Sequence, residues 1–130
     1  MASNPVSVPI PGDTSEVLIT CVAHAAYYQR VTLARGSNIL TVFQGTGEGV
    51  PMKTTDGQTS YQLGASRQGY QVTATFEFSE SGPNGPFHMA KVSDPITTKN
   101  GNLELIQVTS EDSTDNDNND SYLNFEVELI

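Results

Sequence analysis

From Glu111 to Asp120 the chain reads E-D-S-T-D-N-D-N-N-D, five carboxylates and three side-chain amides in ten positions, with no basic residue among them. Carboxylates gathered a few ångströms apart repel by on the order of 1–4 kcal/mol per pair at effective dielectrics of 80 to 20. Such a run therefore either stays extended and solvated or is held together by a multivalent cation. Oxygen donors in this number suit Ca²⁺, which takes about 6–8 oxygen ligands in irregular geometry. The run is expected to be a calcium loop. Three other accounts compete with a functional metal site. One is a plain solvated acidic loop. Another is an EF-hand, with Asp115, Asp117 and Asn119 at loop positions 1, 3 and 5 and Glu126 at position 12. It fails at position 6, where the motif wants glycine and the chain has Asp120, and its flanks read as strands instead of helices. The third is a calcium clip that fastens two strands and binds nothing else.

The elements that would hold this loop are strands. Short apolar-alternating runs are punctuated by turn residues along the whole chain: Val6 to Ile10, Glu16 to Ala23, Gln29 to Ala34, Asn38 to Phe43, Ser60 to Leu63, Tyr70 to Ser79, Phe87 to Val92, Asn102 to Thr109 and Tyr122 to Ile130. Tyr70 to Ser79 alternates most clearly, with Tyr70, Val72, Ala74, Phe76 and Phe78 on one face. Gln44 to Pro51 is glycine-rich and expected to be a connection, and Asp56-Gly57 and Asn100-Gly101 signal tight turns. About nine short strands and no amphipathic helix predict an all-β fold, an antiparallel β-sandwich with Greek-key connections. The acidic run lies between two strands, as a loop at one end of that sandwich.

With 130 residues the chain is expected to be a single domain spanning 1–130. The net charge of −9 argues against nucleic acid and anionic membrane as partners. Two Ca²⁺ would add four positive charges and bring it to −5. Cys21 has no second cysteine to pair with and reads as a small buried hydrophobe on a strand. The opening M-A-S-N-P-V-S-V-P-I-P-G has neither the basic nor the apolar region of a signal peptide, so cytoplasmic synthesis is expected, with export by a signal-independent route left open. No apolar run approaches the roughly 20 residues of a membrane span, and no membrane insertion is expected.

The segment Ser110 to Asp120, S-E-D-S-T-D-N-D-N-N-D, closely resembles the signature of the two-calcium bacterial lectins, the LecB (PA-IIL) family of fucose- and mannose-binding lectins. That family carries S-E-D-G-x-D-x-D-x-N-D at a matching distance from its C-terminus. A weaker likeness covers Val22-Ala23-His24-Ala25-Ala26-Tyr27, where family members have F-A-N-[SA]-[SA]-x.

The resemblance implies two adjacent Ca²⁺ ions that coordinate sugar hydroxyls directly. Glu111, Asp115, Asp117 and Asp120 would hold the first ion. Asp117, Asn119 and Asp120 would hold the second, with the main-chain carbonyl of His24, and Asp117 and Asp120 would bridge the pair. Asp112, Asp115, Asn119 and Asp120 would meet the sugar, together with Ala25, Ala26 and Tyr27 of the N-terminal loop. Serine at the first of the two small positions accompanies fucose preference in the family and alanine a shift toward mannose, so Ala25-Ala26 implies mannose-type ligands ahead of fucose. Family chains end in glycine, whose carboxylate enters the partner subunit's calcium site. This chain ends in the bulkier Ile130, which still offers that carboxylate. A homodimer is implied, and a tetramer is compatible with it.

Catalysis is not expected. The only histidines are His24 and His88, no G-x-S-x-G occurs, and clustered acids suit shared metal ligation better than two carboxylates flanking a glycosidic bond. The expected function is a calcium-dependent lectin for mannose- or fucose-type glycans. The alternative is a calcium-stabilised β-sandwich for adhesion or assembly without a sugar site.

Overall fold

The computed structural model describes residues 3–111 and 121–130. Ten antiparallel strands form one nearly closed, barrel-like sheet: β1 (Val6–Ile10), β2 (Thr14–Arg35), β3 (Asn38–Pro51), β4 (Ser60–Leu63), β5 (Tyr70–Ser79), β6 (His88–Met89), β7 (Lys91–Val92), β8 (Ile96–Asn100), β9 (Leu103–Glu111) and β10 (Ser121–Leu129). The described residues contain no helix. The hydrogen-bonded path runs β1-β5-β2-β10-β9-β7, with β3 and β4 on β2, β6 on β5 and β8 on β9.

The long strand β2 organises this path because it serves two layers. Its first half pairs with β10 from Thr14 to Ala23 and with β4 from Val17 to Thr20. Its second half pairs with β5 from Tyr28 to Ala34. β3 runs beside both halves, but the register slips between Ala23 and His24 and again between Ala25 and Gln29. These bulges bend β2 from one layer into the other. Through the bend the inward phase is kept: Val17, Ile19, Cys21, Ala23 and Ala25 before it, Gln29, Val31 and Leu33 after it, are all buried.

Between the layers lies a core in which Phe43 of β3, Phe76 of β5 and Phe125 of β10 are fully buried with Ile19, Leu33, Ile106 and Leu123. Each such side chain stabilises the fold by about 1.5–3 kcal/mol relative to exposure. Cys21 is inside this core, and burial pushes its thiol pKa far above the ordinary value, as befits a small hydrophobe. Asn4 ties the layers at one edge: its amide donates to the carbonyls of Phe76 and Ala90, each at 2.8 Å, and its oxygen accepts from the Phe76 N–H.

Four expectations change. Glu16–Ala23 and Gln29–Ala34 are one bent strand, since His24 to Tyr28 contains no turn residue and the bulges absorb the bend. Gln44 to Pro51 is not a connection but the continuation of β3, where Gly47 (φ 119°) and Gly49 (φ 69°) supply left-handed backbone inside an irregular ladder. Phe87 to Val92 divides into β6 on β5 and β7 on β9, because the chain crosses between layers at Ala90, whose N–H donates to Phe76 O at 3.0 Å. Ile96–Asn100 is an additional strand, exposed at every position.

Candidate functional site

The two ends of the acidic segment are rooted side by side. Ser110, next to last in β9, stands directly opposite Ser121, the first residue of β10, and Ser121 in turn stands opposite Ala23 of β2. The segment is thereby anchored beside the Ala23–Tyr28 bend. Of the residues expected at the site, Glu111, His24, Ala25, Ala26 and Tyr27 come together at this rim. Asp112, Asp115, Asp117, Asn119 and Asp120 lie outside the described residues.

The rim is built on buried polar groups. Glu111 is 2% exposed. A carboxylate so enclosed needs cations or donors around it to stay charged. The Ser121 hydroxyl donates to Gln29 Oε1 at 3.0 Å, and Gln29 Nε2 donates to the Tyr27 carbonyl at 3.2 Å. Ser121 and Gln29 are both almost wholly buried, so this chain of bonds fixes the bend of β2 to the start of β10. The Ser110 hydroxyl is buried and has no hydrogen-bond partner among the described residues.

His24 is half-buried, with its ring 4.6 Å from that of Tyr122 at a 48° tilt. That packing holds the imidazole against the Tyr122 ring. Across the ladder His24 faces Glu48 and Ala25 faces Gly47. The Thr46 hydroxyl lies 3.1 Å from Ala25 O and 2.9 Å from Ala26 O, donating its one proton between them, which fixes the two carbonyls of the loop. Ala25 is buried while Ala26 is exposed.

Tyr27 stacks on Phe78 with centroids 6.0 Å apart and planes 15° from parallel. The sequence argument did not single out Gln29, Thr46, Ser121 or Phe78. The one available signal was Gln29, a polar residue at an inward position of an alternating strand. Ile130 is at the far end of β10: it is 81% exposed, and its N–H donates to Asp13 O at 2.9 Å. Nine strand residues separate the two ends by about 30 Å. Ile130 is thus remote from the rim of its own chain.

Among the described residues no three His, Cys, Asp or Glu side chains gather to hold a metal. What they supply is oxygen donors: the buried Glu111 carboxylate at the end of β9 and, at the β2 bend, the Ala25 and Ala26 carbonyls held by Thr46. That donor set fits a hard cation such as Ca²⁺ and not a soft one. A surface groove of about 440 Å³, lined by Thr20, Ile96, Leu105, Gln107, Asn124 and Glu126 among others, lies at mid-strand on β2, β8, β9 and β10, away from this rim.

The family described as Fucose-binding lectin II (PA-IIL) matches residues 8–129. The chain belongs to the PA-IIL family. It is a carbohydrate-binding lectin and not an enzyme. Solved structures give the same fold. A high-affinity mannose-binding lectin of Ralstonia solanacearum superimposes with a TM-score of 0.67 at 22% identity, covering 95% of this chain and 96% of that one. The Chromobacterium violaceum lectin CV2L in complex with alpha-methyl-fucoside gives 0.66 at 20% identity over 99% and 100% of the two chains. The C-terminal domain of the BC2L-C lectin from Burkholderia cenocepacia gives 0.69 at 16% identity, with both chains covered in full. A search of curated protein sequences finds no match.

Proposed function

We propose that this PA-IIL lectin binds a fucose- or mannose-type sugar at the rim through a pair of Ca²⁺ ions, with mannose-type ligands preferred. The observation that carries the reading is the buried Glu111 carboxylate at the root of a segment of four further acids, at the end of β9 that lies beside the start of β10 and the β2 bend. Glu111, Asp115, Asp117, Asn119 and Asp120 would hold the ions with the His24 carbonyl. When bound, Ca²⁺ supplies coordination positions that vicinal sugar hydroxyls fill. The chain's own part is to orient the sugar: Asp112 and Asp115 accept from its hydroxyls, and the small side chains of Ala25 and Ala26 leave room beside it.

Because Ile130 is remote from its own rim, its carboxylate reaches such a site only in a second copy, where the partner subunit's Ile130 would complete the ligand shell of a homodimer. Retention on mannose resin tests the reading. The protein should bind with calcium and elute with EDTA, and Glu111→Gln should lose retention through calcium affinity lowered at least about tenfold. A protein that binds calcium but flows through both mannose and fucose resins would be a structural clip instead.

A further inference from the structure

Three aromatic rings from three strands adjoin the rim. Tyr27 of β2 stacks on Phe78 of β5, and Phe78 lies 5.5 Å from His88 of β6, centroid to centroid. Tyr27 and Phe78 are half-buried and His88 is exposed, so the row runs from the bend outward to solvent. It is continuous with the rim through Gln29, which faces Phe78 across the ladder, donates to the Tyr27 carbonyl and accepts from Ser121.

The row is held firmly from behind. On the opposite face of β2 and β5, Arg30 bonds Glu77 at 3.0 Å and lies over the Phe87 ring at 3.6 Å, while Tyr28 meets Phe87 edge-on at 6.3 Å. These contacts fix the residue just before His88 and place the cation on the other side of the sheet. The row itself is aromatic, with the Arg30–Glu77 pair on the other side of the sheet.

We propose that Tyr27, Phe78 and His88 form a second subsite, which takes the next pyranose ring of a glycan whose first residue sits at the rim. This rests on the sugar-binding reading above. A pyranose presents one face of C–H bonds, which suits the electron-rich face of an aromatic ring, and a girdle of hydroxyls, which suits the phenol and imidazole at the ends of the row. An aromatic surface with a few polar tips suits a ligand of this shape. The site would then select a disaccharide or longer glycan over a single sugar.

The test is calorimetry on the calcium-loaded protein with methyl mannoside and with an α-linked methyl mannobioside. The wild type should bind the disaccharide about five- to tenfold tighter, beyond the statistical gain of offering two residues, which is the scale of one added aromatic contact. His88→Ala and Phe78→Leu should each reduce that ratio toward the statistical value while leaving methyl mannoside affinity unchanged. The leucine keeps the apolar contact with the core and removes only the ring face. Normal methyl mannoside binding with no disaccharide advantage would overturn the subsite and leave the lectin site standing. An advantage that survives both substitutions would also overturn it. Calcium-dependent binding of neither sugar would overturn both proposals.

Discussion

Gln29 is where the site and the fold meet, since one buried amide bonds both the start of β10 and the carbonyl of Tyr27. Gln29→Ala leaves the Ser121 hydroxyl without its acceptor in a closed interior, at a cost of about 1–3 kcal/mol. Denaturant unfolding should show that loss, and calcium affinity should fall with it as the bend loosens. Cys21 gives a prediction of a different kind. Burial holds its thiol protonated in the folded chain, while the unfolded thiol ionises near its ordinary value of 9.0. Stability is therefore complete below that pH and declines as pH rises above it, by at most about 1.4 kcal/mol per unit. Tyr70, whose pKa burial raises against the opposing pull of Arg35, adds a smaller decline starting near 10.0. Unfolding measured from pH 8 upward should show the decline, and Cys21→Ala should flatten most of it.

At the scale of elements, the glycines of β3 decide the shape of the rim. Gly47 faces Ala25 with a φ of 119°, and a Cβ there would come within 2.6 Å of the Val50 side chain. Gly47→Ala should cost about 1–3 kcal/mol in backbone strain and displace the neighbouring Thr46 from the loop carbonyls, weakening sugar binding as well as stability. These same glycines hid the strand from the sequence, because Gly-rich composition reads as a connection when the pairing partner is unknown. Alternation revealed β1, β4 and β5 to the residue, and the inward row of Val72, Ala74 and Phe76 is buried as it implied. β8 escaped because all five of its residues are exposed, so no apolar period marks it. The acidic run pointed to calcium through its residue types, and to a sugar site only through its resemblance to a family signature. The bend of β2, by contrast, is a product of register with β3 and β10, and long-range register is not written in local pattern.

At the scale of the molecule, the sheet sorts its chemistry by end. One rim gathers Glu111, Ser110, Gln29, the β2 bend and the aromatic row, and the other carries the exposed Ile130 terminus. Much of the net charge of −9 is concentrated in the segment rooted at the first rim, where cations would offset it. The central claim remains that calcium at this rim is what makes the protein bind sugar. Calorimetric titration with methyl mannoside and methyl fucoside, in calcium and then in excess EDTA, tests it most directly. Heat from both sugars in calcium, stronger affinity for the mannoside and no heat in EDTA are the predicted results. Sugar heat that persists in EDTA, or calcium binding without any sugar heat, would contradict the claim.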